Sequence, residues 1–467
     1  MAYTHYDRLT ALDASFLELE SESVHMHVGS VGIFDPGATG DTTGGVDFDL
    51  ILRQIEAGML RAPRFRQKLD IAPITGHPVW VDDEHFNLLY HVRHTALPLP
   101  GDDRQLKRLV GRIMSEKLDR TRPMWEMWIV EGLESGQVAL ISKIHHCLID
   151  GVSGVDLLAS FMGRDETYSA PENEHRWMPR PPPSRAKLVL DEARRRASIP
   201  GKAISGLFRA FERPSKSFRE ASHTAGGFAQ GLAKALSPAS ETPFNQPIGP
   251  HRRFDWTRFD LDVVREIKTK LGGTVNDVVL ACVAGAVRRY LLDRGFEVDD
   301  IEFRVFVPVS TRQASQRGKL GNRVSMVVAS LPVSEPDARK RMRQVTAETS
   351  EIKKSGQAEG TEAFEELGDW TSTGLITSLA RLGASRRTFN LVVTNVPGPP
   401  EPVFLNGARL LESYPLVPLY ENQALGIALF SYDGGLYWGF NSCWDRMPEL
   451  HEFVLAIEQE FEDLRKL

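Results

Sequence analysis

The sequence is divided by a long stretch without strand patterns, at about residues 165–250. Four prolines at 179–183 break any regular element there. On both sides of this stretch, helical and strand-like patterns alternate. A chain of 467 residues also exceeds one ordinary domain of roughly 100–200 residues. The sequence therefore predicts two α/β domains with mixed sheets, at 1–170 and 251–467, joined by a connector at 171–250.

The connector is basic, although the protein as a whole is acidic. Between residues 185 and 234, eleven Lys and Arg residues stand against four Asp and Glu residues, whereas the whole chain has a formal net charge of -6. Its apolar side chains, such as Leu188 and Leu190, would allow it to pack on a domain or to touch an anionic membrane surface. A solvated crossover is the plainer interpretation, and the sequence leaves these alternatives open.

Composition argues against several classes of protein. Hydrophobic residues make up 42% and charged residues 25%, which is typical of a soluble globular protein. The pI near 6.2 disfavours a nucleic-acid-binding domain. Three widely separated cysteines predict neither a disulfide framework nor a zinc site, and free cysteines are compatible with the reducing cytoplasm. We find no signal-peptide pattern, and the longest apolar run, 278–287, is short of the ~20 residues that span a bilayer.

Local patterns predict the elements around the connector. A capping box at Thr274–Asp277 indicates the start of a helix. The predicted strands cover 25–34, 124–131, 137–144, 302–310, 323–331, 390–394, 425–432 and 436–443, and the predicted helices cover 106–118, 152–162 and the segment after Pro448. The strand over 137–144 leads directly to two adjacent histidines.

These histidines open the segment H-H-C-L-I-D-G at 145–151. Histidine is the side chain best suited to take a proton near neutral pH. Successive strand residues point to opposite faces, so His145 and His146 can face one cavity only if the strand has ended. Asp150 can hold the turn or bind a distant arginine, and Gly151 lets the chain turn closely.

Three interpretations of this segment remain open on the residues alone. The histidines can be interior residues, with Asp150 capping the next helix. His145, His146 and Asp150 can instead be metal ligands, although adjacent ligands at a strand end are awkward. The third interpretation is a general base for acyl transfer.

H-H-x-x-x-D-G resembles the signature of the chloramphenicol-acetyltransferase-like superfamily of CoA-dependent acyltransferases. Further segments resemble the bacterial wax ester synthase/diacylglycerol acyltransferase family: 9–13, 26–29, 122–125, 275–279, 321–324 and 390–399. The chain departs from the family pattern at Arg8 and Ala11, where prolines are usual, and at Thr394, where serine is common.

The resemblance implies two chloramphenicol-acetyltransferase-like domains with an active-site tunnel between them. It implies transfer of a long-chain acyl group from acyl-CoA to diacylglycerol or a fatty alcohol, which makes triacylglycerol or wax ester. It requires no metal and no cofactor, because acyl-CoA is a substrate. Peripheral contact with a membrane or lipid droplet is expected, nucleic acid is not, and a homodimer is compatible with the sequence. The alternatives are an enzyme that uses a carrier-protein thioester and a non-catalytic lipid-binding protein.

The resemblance also assigns roles to residues. His146 would be the general base, and Asp150 would pair with Arg312 or Arg323 to hold the site. Asn276 would lie near the acyl carbonyl or the alcohol.

Weaker assignments concern the surroundings of the site. His145 would position the loop or donate to the oxyanion, Glu20 would lie near the pocket mouth, and Asn395 and Gly151 would shape the substrate path. Cys147 is not expected to act as a nucleophile, because it lacks a base of its own.

Overall fold

The computed structural model describes residues 6–35, 46–149, 161–164, 177–195, 238–310, 324–354 and 388–467. The strands are β1 (Asp7–Arg8), β2 (His27–Asp35), β3 (Gln67–Ile71), β4 (Pro78–Asp82), β5 (Val92–Ala96), β6 (Trp125–Glu131), β7 (Val138–His145), β8 (Arg252–Asp260), β9 (Phe303–Ser310), β10 (Val324–Leu331), β11 (Leu391–Pro397), β12 (Phe404–Leu405), β13 (Ala408–Leu416), β14 (Leu425–Tyr432) and β15 (Gly435–Cys443). The helices are α1 (Ala11–Leu19), α2 (Phe48–Gly58), α3 (Leu88–His91), α4 (Asp103–Ser115), α5 (Leu261–Leu271), α6 (Val275–Leu292), α7 (Ala338–Lys354) and α8 (Leu450–Lys466), with a further helical segment at 185–195.

The first sheet has the strand order β12-β13-β2-β7-β6-β5. Its strands β6 and β7 correspond to the strands predicted at 124–131 and 137–144, and they pair antiparallel with Trp125 opposite Ile144. Helices α1, α2 and α4 contribute apolar side chains to its core, including Leu17, Ile55 and Val110. This layer carries the end of β7, where the histidine pair lies.

The second sheet has the order β10-β9-β11-β14-β15-β8. Strand β11 runs parallel to both β9 and β14, and the other neighbours are antiparallel. Helix α6 is the centre of the helical layer, with α7 and α8 packed against it. Its apolar run from Val278 to Val287 is buried throughout. Both bonds of the predicted capping box are formed between Thr274 and Asp277. The predicted mixed α/β class is confirmed.

The two halves of the chain share the first sheet. Strands β12 and β13 follow β11 of the second sheet in sequence but belong to the first sheet, where β13 pairs antiparallel with β2. This pairing satisfies backbone groups of β2 that an open sheet edge would expose. The boundaries 1–170, 171–250 and 251–467 stay a prediction, and residues 408–416 complete the sheet of the first half.

A second junction joins helix α4 to strand β8. A side chain at Gly111 would place its Cβ 2.8 Å from the backbone oxygen of Arg252, so glycine permits the close contact. The Arg252 side chain is buried and donates to the backbone oxygens of Ser23 and Gly249. The bond to Ser23 joins the two halves.

The described part of the connector packs on the first half. Leu188 lies in a small core with Val79 and Val81 of β4, the central strand of a third sheet with the order β1-β4-β3. Arg180 binds Asp82 through its guanidinium group. Leu190, in contrast to Leu188, is 51% exposed. Most of the predicted basic segment, and most of the helix predicted at 152–162, lies outside the described residues.

Among the described helices, none alone has the length and apolar composition needed to cross a bilayer. Helices α5 and α6 pass that test only as a pair, and the chain bends by 90° between them.

A buried ionic group fastens α8 to α6 and α7. The Glu460 carboxylate binds the guanidinium groups of Arg341 and Arg289, and the side chains of Glu460 and Arg341 are only 4% and 3% exposed. We expect Glu460→Ala to lower the free energy of unfolding by about 3–5 kcal/mol, because it leaves a buried arginine without its counter-ion. Urea denaturation or calorimetry measures the change.

Glu462→Ala is the matched control, since Glu462 lies two residues along α8 in an exposed ion pair with Arg465. Its loss should cost about 1 kcal/mol or less. Equal effects of the two substitutions would contradict the importance of the buried group.

Candidate active site

The histidine pair lies where strand β7 ends. His145 is the last residue of the strand, and its backbone N–H donates to Met124 O at 3.0 Å. A 3₁₀ turn, His146–Leu148, follows at once. The His146 backbone N–H donates to Met26 O at 2.8 Å, which ties the turn to the residue before β2. The two histidines occupy different surroundings.

His146 packs against helix α1. Its ring lies 4.0 Å from the ring of Phe16, centroid to centroid, with 30° between the planes. Its Nδ1 atom is buried and has no hydrogen-bond partner among the described residues. Burial lowers the pKa of His146 to about 4, so the imidazole is neutral near pH 7. A neutral imidazole has a lone pair that can accept a proton.

His145 is fully buried and bonds the turn that follows it. Its Nδ1 accepts a hydrogen bond from the Cys147 backbone N–H at 3.3 Å and lies 3.0 Å from Cys147 Sγ. Burial raises the pKa of the Cys147 thiol well above its usual value. A thiol that stays protonated is a poor nucleophile, which argues against covalent catalysis by Cys147.

Glu20 lies beside His145, at the end of helix α1. Its side chain is 4% exposed, and its Oε2 accepts from Arg120 Nε at 3.0 Å and Nη2 at 2.6 Å. Its Oε1 lies 3.6 Å from His27 Nε2 and 3.7 Å from His145 Nε2. The residue predicted to lie near the pocket mouth is therefore part of a polar cluster formed by Glu20, Arg120, His27 and His145, in which the side chains of Glu20, His27 and His145 are buried and that of Arg120 is 45% exposed.

The two imidazoles of this polar cluster are neutral. Burial, followed by the Arg120 charge, lowers the pKa of His145 to about 3. Burial and the Lys143 charge lower the pKa of His27 well below its usual value. The carboxylate of Glu20 therefore faces neutral rings on one side and a guanidinium group on the other.

The structure also brings Asn276 and Asn395 together, although they are far apart in sequence. Asn276 is the second residue of α6 and Asn395 lies in β11. Asn395 Nδ2 donates to Asn276 Oδ1 at 2.7 Å. Asn395 Oδ1 is buried without a hydrogen-bond partner in the described part of the chain. Two amides thus meet at the N-terminus of α6, where the helix dipole favours negative charge.

The other predicted site residues, Asp150, Gly151, Arg312 and Arg323, lie outside the described residues. The pairing of Asp150 with either arginine stays a prediction.

Sequence patterns do not identify His27 or Arg120 as parts of the site. His27 stands directly opposite His145 in the pairing of β2 with β7, and side chains opposite one another share a face. The H-x-H pattern at 25–27, in the predicted strand 25–34, is the available signal for a histidine near the site. Only the sheet order shows that His27 lies opposite His145. Arg120 lies in a segment with no helix or strand pattern.

Among the described residues, no group of three or more His, Cys, Asp or Glu side chains is arranged to hold a metal ion. The expectation that no cofactor is needed stays a prediction.

Comparison with solved structures identifies the class of fold. The first condensation domain of the CDA synthetase aligns over 100% of this chain and 97% of its own, with a TM-score of 0.58 and 15% identity. At that identity the likeness concerns the fold alone. A wax ester synthase/diacylglycerol acyltransferase from Marinobacter aquaeolei VT8 aligns with a TM-score of 0.69 at 28% identity, over 98% of both chains.

The sequence comparisons define the family. The wax ester synthase/diacylglycerol acyltransferase catalytic domain model matches residues 9–279, and the model of the C-terminal domain of the same family matches 320–465. Two probable diacylglycerol O-acyltransferases of Mycobacterium tuberculosis strain H37Rv, tgs1 and tgs2, are 31% and 32% identical. The alignments cover 97% and 98% of this chain and 94% and 99% of theirs. The chain therefore belongs to the wax ester synthase/diacylglycerol acyltransferase family and is an acyltransferase, which confirms the resemblance.

The buried histidines predict sensitivity to acid. Burial, together with the nearby Arg252 charge, lowers the pKa of His25 to about 4, whereas an unfolded histidine titrates near 6.5. Between these values the unfolded chain binds the proton and the folded chain does not, so stability falls as pH falls from ~6.5 to ~4.

We expect His25→Gln to reduce this loss by up to about 1.4 kcal/mol per pH unit below pH 6.5. Urea denaturation of both proteins from pH 7.5 to 5 measures it. His85→Gln, at an exposed position, is the control. An unchanged pH slope in His25→Gln would contradict a neutral buried His25.

Proposed function

We propose that this protein transfers a long-chain acyl group from acyl-CoA to the hydroxyl of diacylglycerol or a fatty alcohol, with His146 as general base. The observation that carries the proposal is the position of His146 on the turn after β7, where its ring packs on Phe16 and its Nδ1 has no hydrogen-bond partner among the described residues. This turn lies within the region that the family's catalytic-domain model matches.

The reaction runs in two stages. The imidazole of His146 takes the hydroxyl proton while the oxygen forms a bond to the thioester carbon. The tetrahedral oxyanion then collapses and breaks the C–S bond. CoA leaves as a thiolate and takes the proton from the imidazolium, so the ester and free CoA are formed and His146 returns to its neutral state.

The oxyanion needs donors that are already in place. We propose that the amides of Asn276 and Asn395 supply them, or orient the alcohol. In support, the two side chains are bonded to each other. They also lie at the N-terminus of a helix, where the dipole stabilises negative charge.

The substrates also suggest where the protein works. We propose a cytoplasmic protein in peripheral contact with a membrane or lipid droplet. In support, Leu190 of the 185–195 helix is exposed, and the basic side chains of Lys187 and Arg194 flank it at helical spacing.

The first test is product analysis. Purified wild type should convert palmitoyl-CoA with diacylglycerol to triacylglycerol, or with hexadecanol to wax ester. His146→Ala should lose ~10²–10⁴-fold in rate, because no other group takes the proton. Thin-layer chromatography of radiolabelled lipid measures both products, and their ratio identifies the preferred acceptor.

His85→Ala, at an exposed position, is the control and should keep the wild-type rate. If folded wild-type protein forms neither ester, the proposal fails. Formation of product only from an acyl-carrier-protein thioester would instead favour a condensation-type enzyme.

The lowered pKa of His146 makes a separate prediction. A base with the ordinary pKa of about 6.5 would lose about tenfold in kcat between pH 7.5 and 5.5, because protonation removes its lone pair. With the pKa of His146 near 4, kcat should change by less than about twofold over this range. Initial rates with saturating palmitoyl-CoA measure it, and the enzyme is returned to pH 7.5 afterwards to verify that it stays folded. A fully reversible tenfold loss would contradict a depressed pKa.

A further inference from the structure

The mechanism above gives no role to the carboxylate of Glu20, although the structure buries it beside the histidine pair. A buried carboxylate is costly unless it is bonded to donors. Arg120 bonds one oxygen of Glu20 through both Nε and Nη2. The other oxygen, Oε1, has no hydrogen-bond partner among the described residues, and the Nε2 atoms of His27 and His145 lie 3.6 and 3.7 Å from it.

The hydrogen bond on the far side of His145 shows which of its ring nitrogens carries the proton in this structure. His145 Nδ1 lies 3.3 Å from the Cys147 backbone nitrogen, which can only donate. Nδ1 is therefore the acceptor, and in a neutral ring the proton resides on Nε2. Nε2 is the atom that faces Glu20 Oε1. A movement of less than about 1 Å brings this pair to hydrogen-bond distance.

These contacts form a polar path with one gap, the 3.7 Å between Glu20 Oε1 and His145 Nε2. It runs from the guanidinium of Arg120 through the carboxylate of Glu20 and the ring of His145 to the Cys147 backbone N–H. That N–H belongs to the 3₁₀ turn His146–Leu148, for which His145 is the N-cap. The path therefore ends on the turn that carries His146.

We propose that Glu20, held by Arg120, is a positioning residue for His146. It fixes the tautomer and orientation of His145 and, through that ring, the turn that presents the base. This proposal rests on the proposed role of His146. Glu20 does not touch the reacting atoms, so its loss should misplace the base without weakening the binding of acyl-CoA.

The kinetic experiment compares full-length Glu20→Ala and Glu20→Gln with wild type. We expect kcat to fall about 10²-fold in Glu20→Ala, since a misplacement of about 1 Å costs that much. The KM for palmitoyl-CoA should stay within about twofold, because only orientation is lost. Glu20→Gln keeps one acceptor oxygen and should recover part of kcat. Thermal melting shows that each variant is folded, and Glu20→Gln, which has nearly the same shape, decides the matter if Glu20→Ala does not fold.

Glu22→Gln is the matched control. Glu22 binds Lys117 at 2.9 Å just as Glu20 binds Arg120, but its side chain is 97% exposed. This variant should keep kcat and KM. An equal loss of kcat in Glu22→Gln and Glu20→Gln would overturn the proposal, because an exposed pair beside the site would then matter as much.

The spectroscopic experiment needs no activity. Histidine labelled with ¹⁵N distinguishes the two neutral tautomers by the shifts of the ring nitrogens. His145 should carry its proton on Nε2 in wild type and become a mixture in Glu20→Ala. An Nδ1-protonated His145 in wild type would overturn the proposal.

His146→Ala, measured in parallel, separates the two hypotheses. An inactive His146→Ala with a fully active, folded Glu20→Ala would overturn the positioning role alone. An active His146→Ala would overturn the role of His146 as general base. The tautomer of His145 would then still decide whether Glu20 orients the His145 ring. Unchanged kcat with a raised KM in Glu20→Ala would place Glu20 at the substrate instead.

Discussion

The backbone ladder between β2 and β7 sets the position of the histidine pair. It places His27 opposite His145, and the Met26 backbone oxygen just before β2 binds the His146 N–H. The strand can end at His145 because this bond satisfies the first backbone group of the turn. His145 consequently points into the polar cluster with Glu20, and His146 packs against Phe16 in different surroundings. Two adjacent residues of one type thereby contact different groups.

Burial favours the neutral forms of the histidines and the cysteine around this site. It keeps the imidazoles of His145 and His146 neutral and the Cys147 thiol protonated. The reason is that a low-dielectric environment raises the free energy of the charged form of each group. Glu20 can be buried because Arg120 supplies the charge and the donors that water would supply. A neutral imidazole at His146 and a protonated thiol at Cys147 fit the proposed direct transfer from the thioester better than an acyl-enzyme.

The candidate site residues come from both halves of the chain. The histidine turn belongs to the first sheet, whereas Asn276 and Asn395 belong to the helical layer and the sheet of the second half. Strand β13 completes the first sheet, and Arg252 ties β8 to the loop before β2. These contacts fix the position of one half against the other, which a reaction between two substrates requires.

The sequence by itself determined the elements with strong local periodicity: β6 and β7, the capped helix α6, the β14–β15 hairpin and the histidine segment at the end of β7. Local spacing suffices there because alternation and capping depend on neighbouring residues. It did not indicate that β13 joins the first sheet, since pairing partners are separated by hundreds of residues. Nor did it reveal His27, Arg120 or the true surroundings of Glu20. These depend on which strands lie side by side, and only the tertiary structure decides that.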